Sequence, residues 1–231
     1  MDFNEGVIIP IDKPYRMSSF GALAHVRYLV SRRLGVKRVK MGHAGTLDPL
    51  ATGVLLLCTG KATKLIDRLQ ADTKEYVAML QLGATTPSYD REHTVNFTYP
   101  TKHITRQLVE EVLPRFVGDI MQVPPEFSAC KVDGKRAYLL MRKGHDVQLK
   151  AKPLHIDEIE LLDFSPEQMT LSIRVVCGKG TYVRALARDL GQALDSGAFL
   201  TSLRRTRVGD YRVDEAITLD DFPQWLENSL G

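Results

Sequence analysis

Residues Gly42–Lys64, GHAGTLDPLATGVLLLCTGKATK, join a glycine-rich loop to a continuous apolar run. Gly42 to Pro49 holds two glycines and a proline in eight residues, which predicts an irregular loop that bends tightly or passes close to something. Val54 to Cys58 predicts a central strand buried on both faces. Gly60 ends it, and Lys61 to Gln70 is helix-like. The loop centres on Asp48. Between Asp12 and Asp67 there is no other carboxylate, against ten cations: Lys13, Arg16, Arg27, Arg32, Arg33, Lys37, Arg38, Lys40, Lys61 and Lys64. A basic field draws a polyanion, and a lone carboxylate inside it is a candidate working group. The stretch is not a phosphate-binding P-loop. Six residues separate Gly53 from Gly60-Lys61 where that motif needs four, and Ala62 stands where it needs Ser or Thr.

Upstream, Gly6 to Ile11 predicts a buried strand, and Ser18 or Ser19 caps a helix from Phe20 to about Leu34. Downstream, Lys74 to Leu82 predicts a strand with Tyr76 near its start. Ala84 to Pro100 is a polar connection, and Thr101 to Phe116 predicts an amphipathic helix. After Val123-Pro124-Pro125, Phe127 to Pro153 carries seven Lys or Arg against two Asp. Within it, KVDGKRAY predicts a turn and short helix, and VQLKAK a returning strand. Leu154 to Phe164 and Met169 to Cys177 predict paired strands, the second alternating in and out. Gly178 to Thr181 turns into a helix to about Leu194, Leu200 to Val208 alternates again, and Thr218 and Asp220 open a last helix with Trp225. Strands that follow one another directly favour an α+β fold with a mixed, mainly antiparallel sheet.

The 231 residues suit one domain, 1–231, with residues 127–153 as a basic insertion. Net charge is only +3, but Ile156–Ile173 and Val213–Gly231 each hold five acids and no base. Positive charge is thus concentrated elsewhere, as on a one-sided anion-binding face. Cys58, Cys130 and Cys177 form no C-x-x-C pair, so neither zinc nor disulfides are suggested, and each reads as a buried small hydrophobe. Six scattered histidines lack metal-ligand spacing. The base-deaminase signature and the nucleophile elbow are absent. No signal peptide or membrane-length apolar run is present, so the expected location is the cytoplasm, away from membranes.

The loop sequence G-H-A-G-T-L-D-P-L-A-T-G-V-L resembles the catalytic motif of the TruB-type tRNA pseudouridine synthases. Five further motifs occur in that family's order and spacing. They are D-K-P at Lys13, K-E-Y at Tyr76, V-P-P-x-F-S-A-x-K-V-D-G-K-R-A-Y from Val123, G-T-Y-V-R ending at Arg184, and L-R-R-T-R-V-G from Leu203. Six motifs in register span nearly the whole chain.

The resemblance implies the pseudouridine synthase fold and isomerisation of uridine to pseudouridine at position 55, in the T-arm of tRNA. It implies no cofactor, no metal and no guide RNA; nothing in the sequence suggests more than a monomer. Asp48 matches the nucleophile and Arg184 its cationic partner. Tyr76 matches the active-site tyrosine, while Tyr182 and Leu203 line the uridine pocket. His43 matches a substrate-contacting histidine that helps a flipped nucleotide leave its stack. Lys13, Lys61, Lys64 and the Lys131–Arg142 segment are expected to hold phosphates. Whether Asp48 attacks C1′ or C6, or first removes a ribose proton, is open. Against the family's pattern, the C-terminal RNA-binding domain of PUA type is expected to be missing or replaced by a short helix. The chain also has Arg16 where the family often has Gly, and Gly178 where it often has Ser.

Overall fold

The computed structural model describes residues 1–128, 131–132, 135–136 and 149–230. It divides into two compact units, Met1–Tyr76 with Leu203–Gly231, and Val77–Ser202. The chain crosses between them twice, both times inside a strand: β4 (Lys74–Leu82) and β12 (Ala198–Val208).

The first unit contains β1 (Ile8–Lys13), α1 (Ser19–Arg33), β2 (Met41–Ala44), β3 (Thr52–Thr59) and α2 (Ile66–Ala71). From the far end of the chain it takes β13 (Tyr211–Arg212), β14 (Ile217–Thr218) and a last helix, Phe222–Leu230. β3 is the axis of its sheet. It pairs antiparallel with β1 and β2 and parallel with β12, while β1 pairs parallel with β14. Leu55 and Leu57 pack on one side with Ile9, Val26, Val30 and Phe222. Val54, Leu56 and Cys58 pack on the other with Ala62, Leu69 and Val208. Burial on both faces is why this strand reads as an unbroken apolar run rather than an alternation.

The second unit contains β5 (Ala84–Thr85), β6 (Phe97–Thr98), α3 (Arg106–Val112), β7 (Gly118–Gln122), β8 (Lys131–Val132) and β9 (Lys135–Arg136). β10 (Lys152–Ser165), β11 (Thr170–Cys177) and α4 (Val183–Ala193) follow, so the final helix is α5. Its sheet runs β4-β11-β10-β7, with β10 antiparallel to both neighbours. The architecture is α+β with a mixed sheet, as the order of elements implies.

Four expectations change in detail. Gly42 to Ala44 is not loop but strand β2, because Gly42, His43 and Ala44 pair with Cys58, Leu57 and Leu56. The helix expected from Thr101 begins at Arg106, where the Thr105 hydroxyl accepts from the Leu108 amide. A 3₁₀ turn precedes α2 at Gly60–Leu65. Within KVDGKRAY, Lys131–Val132 pairs with Lys135–Arg136 as a small hairpin; the expected short helix, Cys130 and Val147-Gln148 of VQLKAK lie outside the described residues. Cys58 and Cys177 are buried thiols, as expected.

Gly53 shows how closely β3 and β12 are fitted. Its φ is +104°, and a Cβ there would lie 2.1 Å from the Arg205 carbonyl oxygen. Both the conformation and the space demand glycine. The Gly53→Ala variant is expected to lose at least about 2 kcal/mol of stability, read from a urea unfolding curve.

Candidate active site

Asp48 sits half-buried in the turn between β2 and β3, with its carbonyl accepting the Ala51 amide at 3.1 Å. Three side chains hold this turn. Ser19, at the start of α1, both donates to the Leu47 carbonyl (2.9 Å) and accepts the Leu47 amide (2.8 Å). The residue before Asp48 is therefore clamped from both sides. The neighbouring Ser18 supplies the helix cap, accepting the Gly21 amide. This separates the roles of two serines that the sequence left interchangeable.

Lys13 is the second. It is fully buried, and its ammonium donates to the carbonyls of Pro14 (2.9 Å), Met17 (2.6 Å) and Pro49 (3.4 Å). The expected role of holding a phosphate at the surface does not fit this placement; the ammonium instead ties the residue after Asp48 to the end of β1. Burial lowers its pKa to about 8, Asp48 and Asp12 opposing and Arg205 assisting.

Arg205 is the third, and the sequence reading missed it as a site residue. It is only 1% exposed, donating from Nε to the Val54 carbonyl (2.7 Å) and from Nη2 to the Gly45 carbonyl (3.1 Å). The guanidinium thus joins β12 to β3 and to the loop ahead of Asp48. Its neighbour Arg204 turns instead to Asp12, with two contacts of 3.1 and 2.7 Å, and neutralises it.

His43, on β2, has a buried Nδ1 without a hydrogen-bond partner. Burial first, and Arg205 second, lower its pKa, so the neutral ring is favoured. Tyr76 is 8% exposed, on the inward side of β4's alternation. Leu203 is half-buried and Lys64 exposed. Asp48, His43, Tyr76, Leu203, Lys13 and Lys64 all belong to the first unit.

Arg184 and Tyr182 belong to the second. Arg184, in the first turn of α4, is 5% exposed. It donates to the carbonyls of Ser88 (3.2 Å) and Phe127 (2.9 Å), with Nε 3.7 Å from the Asp90 carboxylate. Asp90 was hidden in a polar connection with no motif to mark it. It accepts from the Ser88 hydroxyl (2.6 Å) and the Glu92 amide (2.9 Å), beside Tyr89 at φ +57°. The His93 ring meets Ser88 Oγ at 2.9 Å and packs on Phe127. Tyr182 donates its amide to Gln122 Oε1 (2.9 Å), and Arg188 donates to the Val123 carbonyl (2.9 Å). Residues 122–127, which lead into the basic segment, are in this way stitched to α4.

The geometry supports nucleophilic or general-base chemistry by one carboxylate on a rigidly held turn, with buried cations fixing the local potential. Among the described residues there is no cluster of three or more His, Cys, Asp or Glu able to hold a metal. No helix is long and apolar enough to cross a membrane.

Comparison with known proteins gives a consistent picture. Residues 32–183 match the family model for the N-terminal domain of TruB family pseudouridylate synthases, and residues 184–229 match that for the tRNA pseudouridylate synthase B C-terminal domain. The tRNA pseudouridine synthase B of Phocaeicola vulgatus is 62% identical over 98% of this chain and 96% of its own length. That of Mycobacterium leprae is 45% identical over 94% of this chain and 68% of its own length. Among solved structures, a chain of a Cbf5-Nop10-Gar1 complex is similar with TM-score 0.72 and 28% identity, covering 99% of this chain and 58% of that one. A chain of an H/ACA RNP bound to a substrate RNA has TM-score 0.69 and 27% identity, covering 97% and 56%.

Two stability measurements check the site. Unfolded Lys13 keeps its proton to about pH 10.5, whereas the folded group releases it near 8. Between those values the unfolded chain holds more protons, so folding is favoured as pH rises. The stability difference between wild type and Lys13→Met is expected to move in favour of wild type, by up to about 1.4 kcal/mol per pH unit from 8 to 10. Asp90→Asn removes a buried carboxylate facing Arg184 and is expected to cost about 3 kcal/mol in thermal unfolding.

Proposed function

The chain belongs to the TruB family of pseudouridylate synthases, and we propose that it isomerises uridine to pseudouridine in the T-arm of tRNA, at position 55, with Asp48 as nucleophile. The observation that carries this reading is the clamped turn. The turn carrying a lone carboxylate in a strongly basic stretch is held through its backbone by Ser19 at Leu47, Lys13 at Pro49 and Arg205 at Gly45.

Product and substrate have the same composition, so the reaction needs no oxidant, reductant or group donor. It does need the C1′–N1 glycosidic bond to break, the base to turn and a C1′–C5 bond to form, with loss of the C5 proton and gain of a proton at N1. A carboxylate nucleophile divides that change into smaller steps. In this reading Arg184 is the cationic partner of Asp48. Tyr76 stacks on the base, and Tyr182 and Leu203 line its pocket. His43, neutral and with an unpaired Nδ1, faces the site vacated by the flipped nucleotide. Lys64 contacts phosphate, whereas Lys13 acts through the backbone of the turn. The enzyme works on tRNA directly, as a cytoplasmic monomer without a guide RNA.

A guide-dependent mode is the second reading, favoured by the similarity to a chain of an H/ACA RNP. Tritium release from C5-labelled uridine in a T-arm transcript, with no other RNA added, separates the two. Wild type is expected to release tritium, and Asp48→Asn to lose at least about 10⁴-fold in rate while keeping tRNA affinity. Equal release by the variant would remove Asp48 as nucleophile. Release that required a second RNA would favour the guide-dependent reading.

A further inference from the structure

Beside Ser19 and Lys13, which hold the turn that carries Asp48, α1 and the residues before it present an outer face. Three aromatic side chains stand out from it: Tyr15 is 46% exposed, Phe20 64% and Tyr28 59%. Scattered exposed aromatics are ordinary. Here two are paired with guanidinium groups, Arg16 lying 5.5 Å from the Tyr15 ring centroid and Arg27 5.9 Å from that of Phe20. Phe20, Arg27 and Tyr28 share one side of the helix by their i, i+7, i+8 spacing. Arg16 has φ +63°, a conformation that a non-glycine residue rarely adopts. Ser18, the helix cap, lies between the two pairs.

Charge narrows the choice of occupant. From Lys13 to Ile66 the only acid is Asp48, and the nearest upstream acid, Asp12, is already bound by Arg204. The face is therefore apolar and cationic together, with flat rings and flat guanidinium planes. Unpaired nucleobases with their phosphates have the matching chemistry: a π-face for each ring and an anion for each arginine. A base-paired stem offers the phosphates without the exposed base faces.

We propose that Tyr15, Arg16, Phe20, Arg27 and Tyr28 form a stacking surface for unpaired RNA bases, separate from the uridine pocket. This rests on reading the protein as an RNA-modifying enzyme. The bases come either from the loop of the T-arm or from unpaired nucleotides elsewhere in the same tRNA.

Fluorescence anisotropy with three probes tests it: a single-stranded oligouridylate, a T-arm stem-loop and a full-length tRNA transcript, each at several salt concentrations. Phe20→Ala with Tyr28→Ala is expected to weaken oligouridylate binding about 10-fold or more without changing the salt slope. Arg16→Gln with Arg27→Gln is expected to reduce the slope by about 2. Phe20→Trp with Tyr28→Trp is expected to keep the affinity, which separates stacking from any effect on folding. A loss confined to full-length tRNA assigns the surface to bases outside the T-arm, and a loss shared by the stem-loop assigns it to the T-loop. Unchanged affinity for all three probes overturns the proposal. So does unchanged RNA affinity combined with altered self-association in gel filtration, which assigns the face to a protein contact. Tritium release measured in parallel keeps the two readings apart: an inactive wild type whose oligouridylate binding still depends on Phe20 and Tyr28 would sink the proposed reaction and leave the stacking surface standing.

Discussion

The first unit depends on a buried guanidinium. Taking the Arg205 cation out of water costs several kcal/mol unless its donors are matched, and two backbone carbonyls, those of Val54 and Gly45, accept from it. One belongs to the strand that runs through the core and the other to the loop ahead of Asp48. The penalty of burying the charge therefore works as a specification: only an arrangement that brings both carbonyls to the guanidinium is low in energy. Gly53 follows from this, since β12 approaches β3 too closely there for any side chain. Arg205 also adds to burial in lowering the pKa of His43.

The second unit repeats the principle with a different partner. Arg184 is buried, but it faces a carboxylate as well as two carbonyls. Through the Phe127 carbonyl it reaches the segment where the chain enters its basic stretch. Arg188 and Gln122 hold the same segment from neighbouring positions. One short helix thus fixes both a candidate active-site cation and the start of a candidate RNA-binding segment. The left-handed backbone of Tyr89, next to Asp90, shows local strain accepted at the same place.

What the sequence made legible follows from what kind of signal each feature leaves. β3 was visible because burial on both faces writes a continuous apolar run. β11 was visible because burial on one face writes alternation. Asp48 stood out through its isolation in charge. Arg205 did not, because it shares a run with Arg204 and Arg207, and nothing local distinguishes an arginine that turns inward from one that reaches Asp12. Asp90 was invisible for a similar reason: nothing local separates it from Glu92 in the same polar connection, and only the fold brings it to face Arg184. The burial of Lys13 was not legible, because a lysine in a basic stretch suggests the surface, whereas three carbonyls from three positions can enclose an ammonium. β2 was read as loop because its pairing partner, β3, lies across a turn that no local propensity reports.

The make-up of the first unit also sets an order of events during synthesis. Met1–Tyr76 cannot complete its core alone, since β12, β14 and α5 come from Leu203–Gly231. Arg205, which secures the turn ahead of Asp48, leaves the ribosome more than a hundred and fifty residues after that turn. A nascent chain therefore carries Asp48 on a turn that Ser19 and Lys13 can hold but Arg205 cannot until translation is nearly finished. The last of the three clamps on this turn is thus made long after the turn itself.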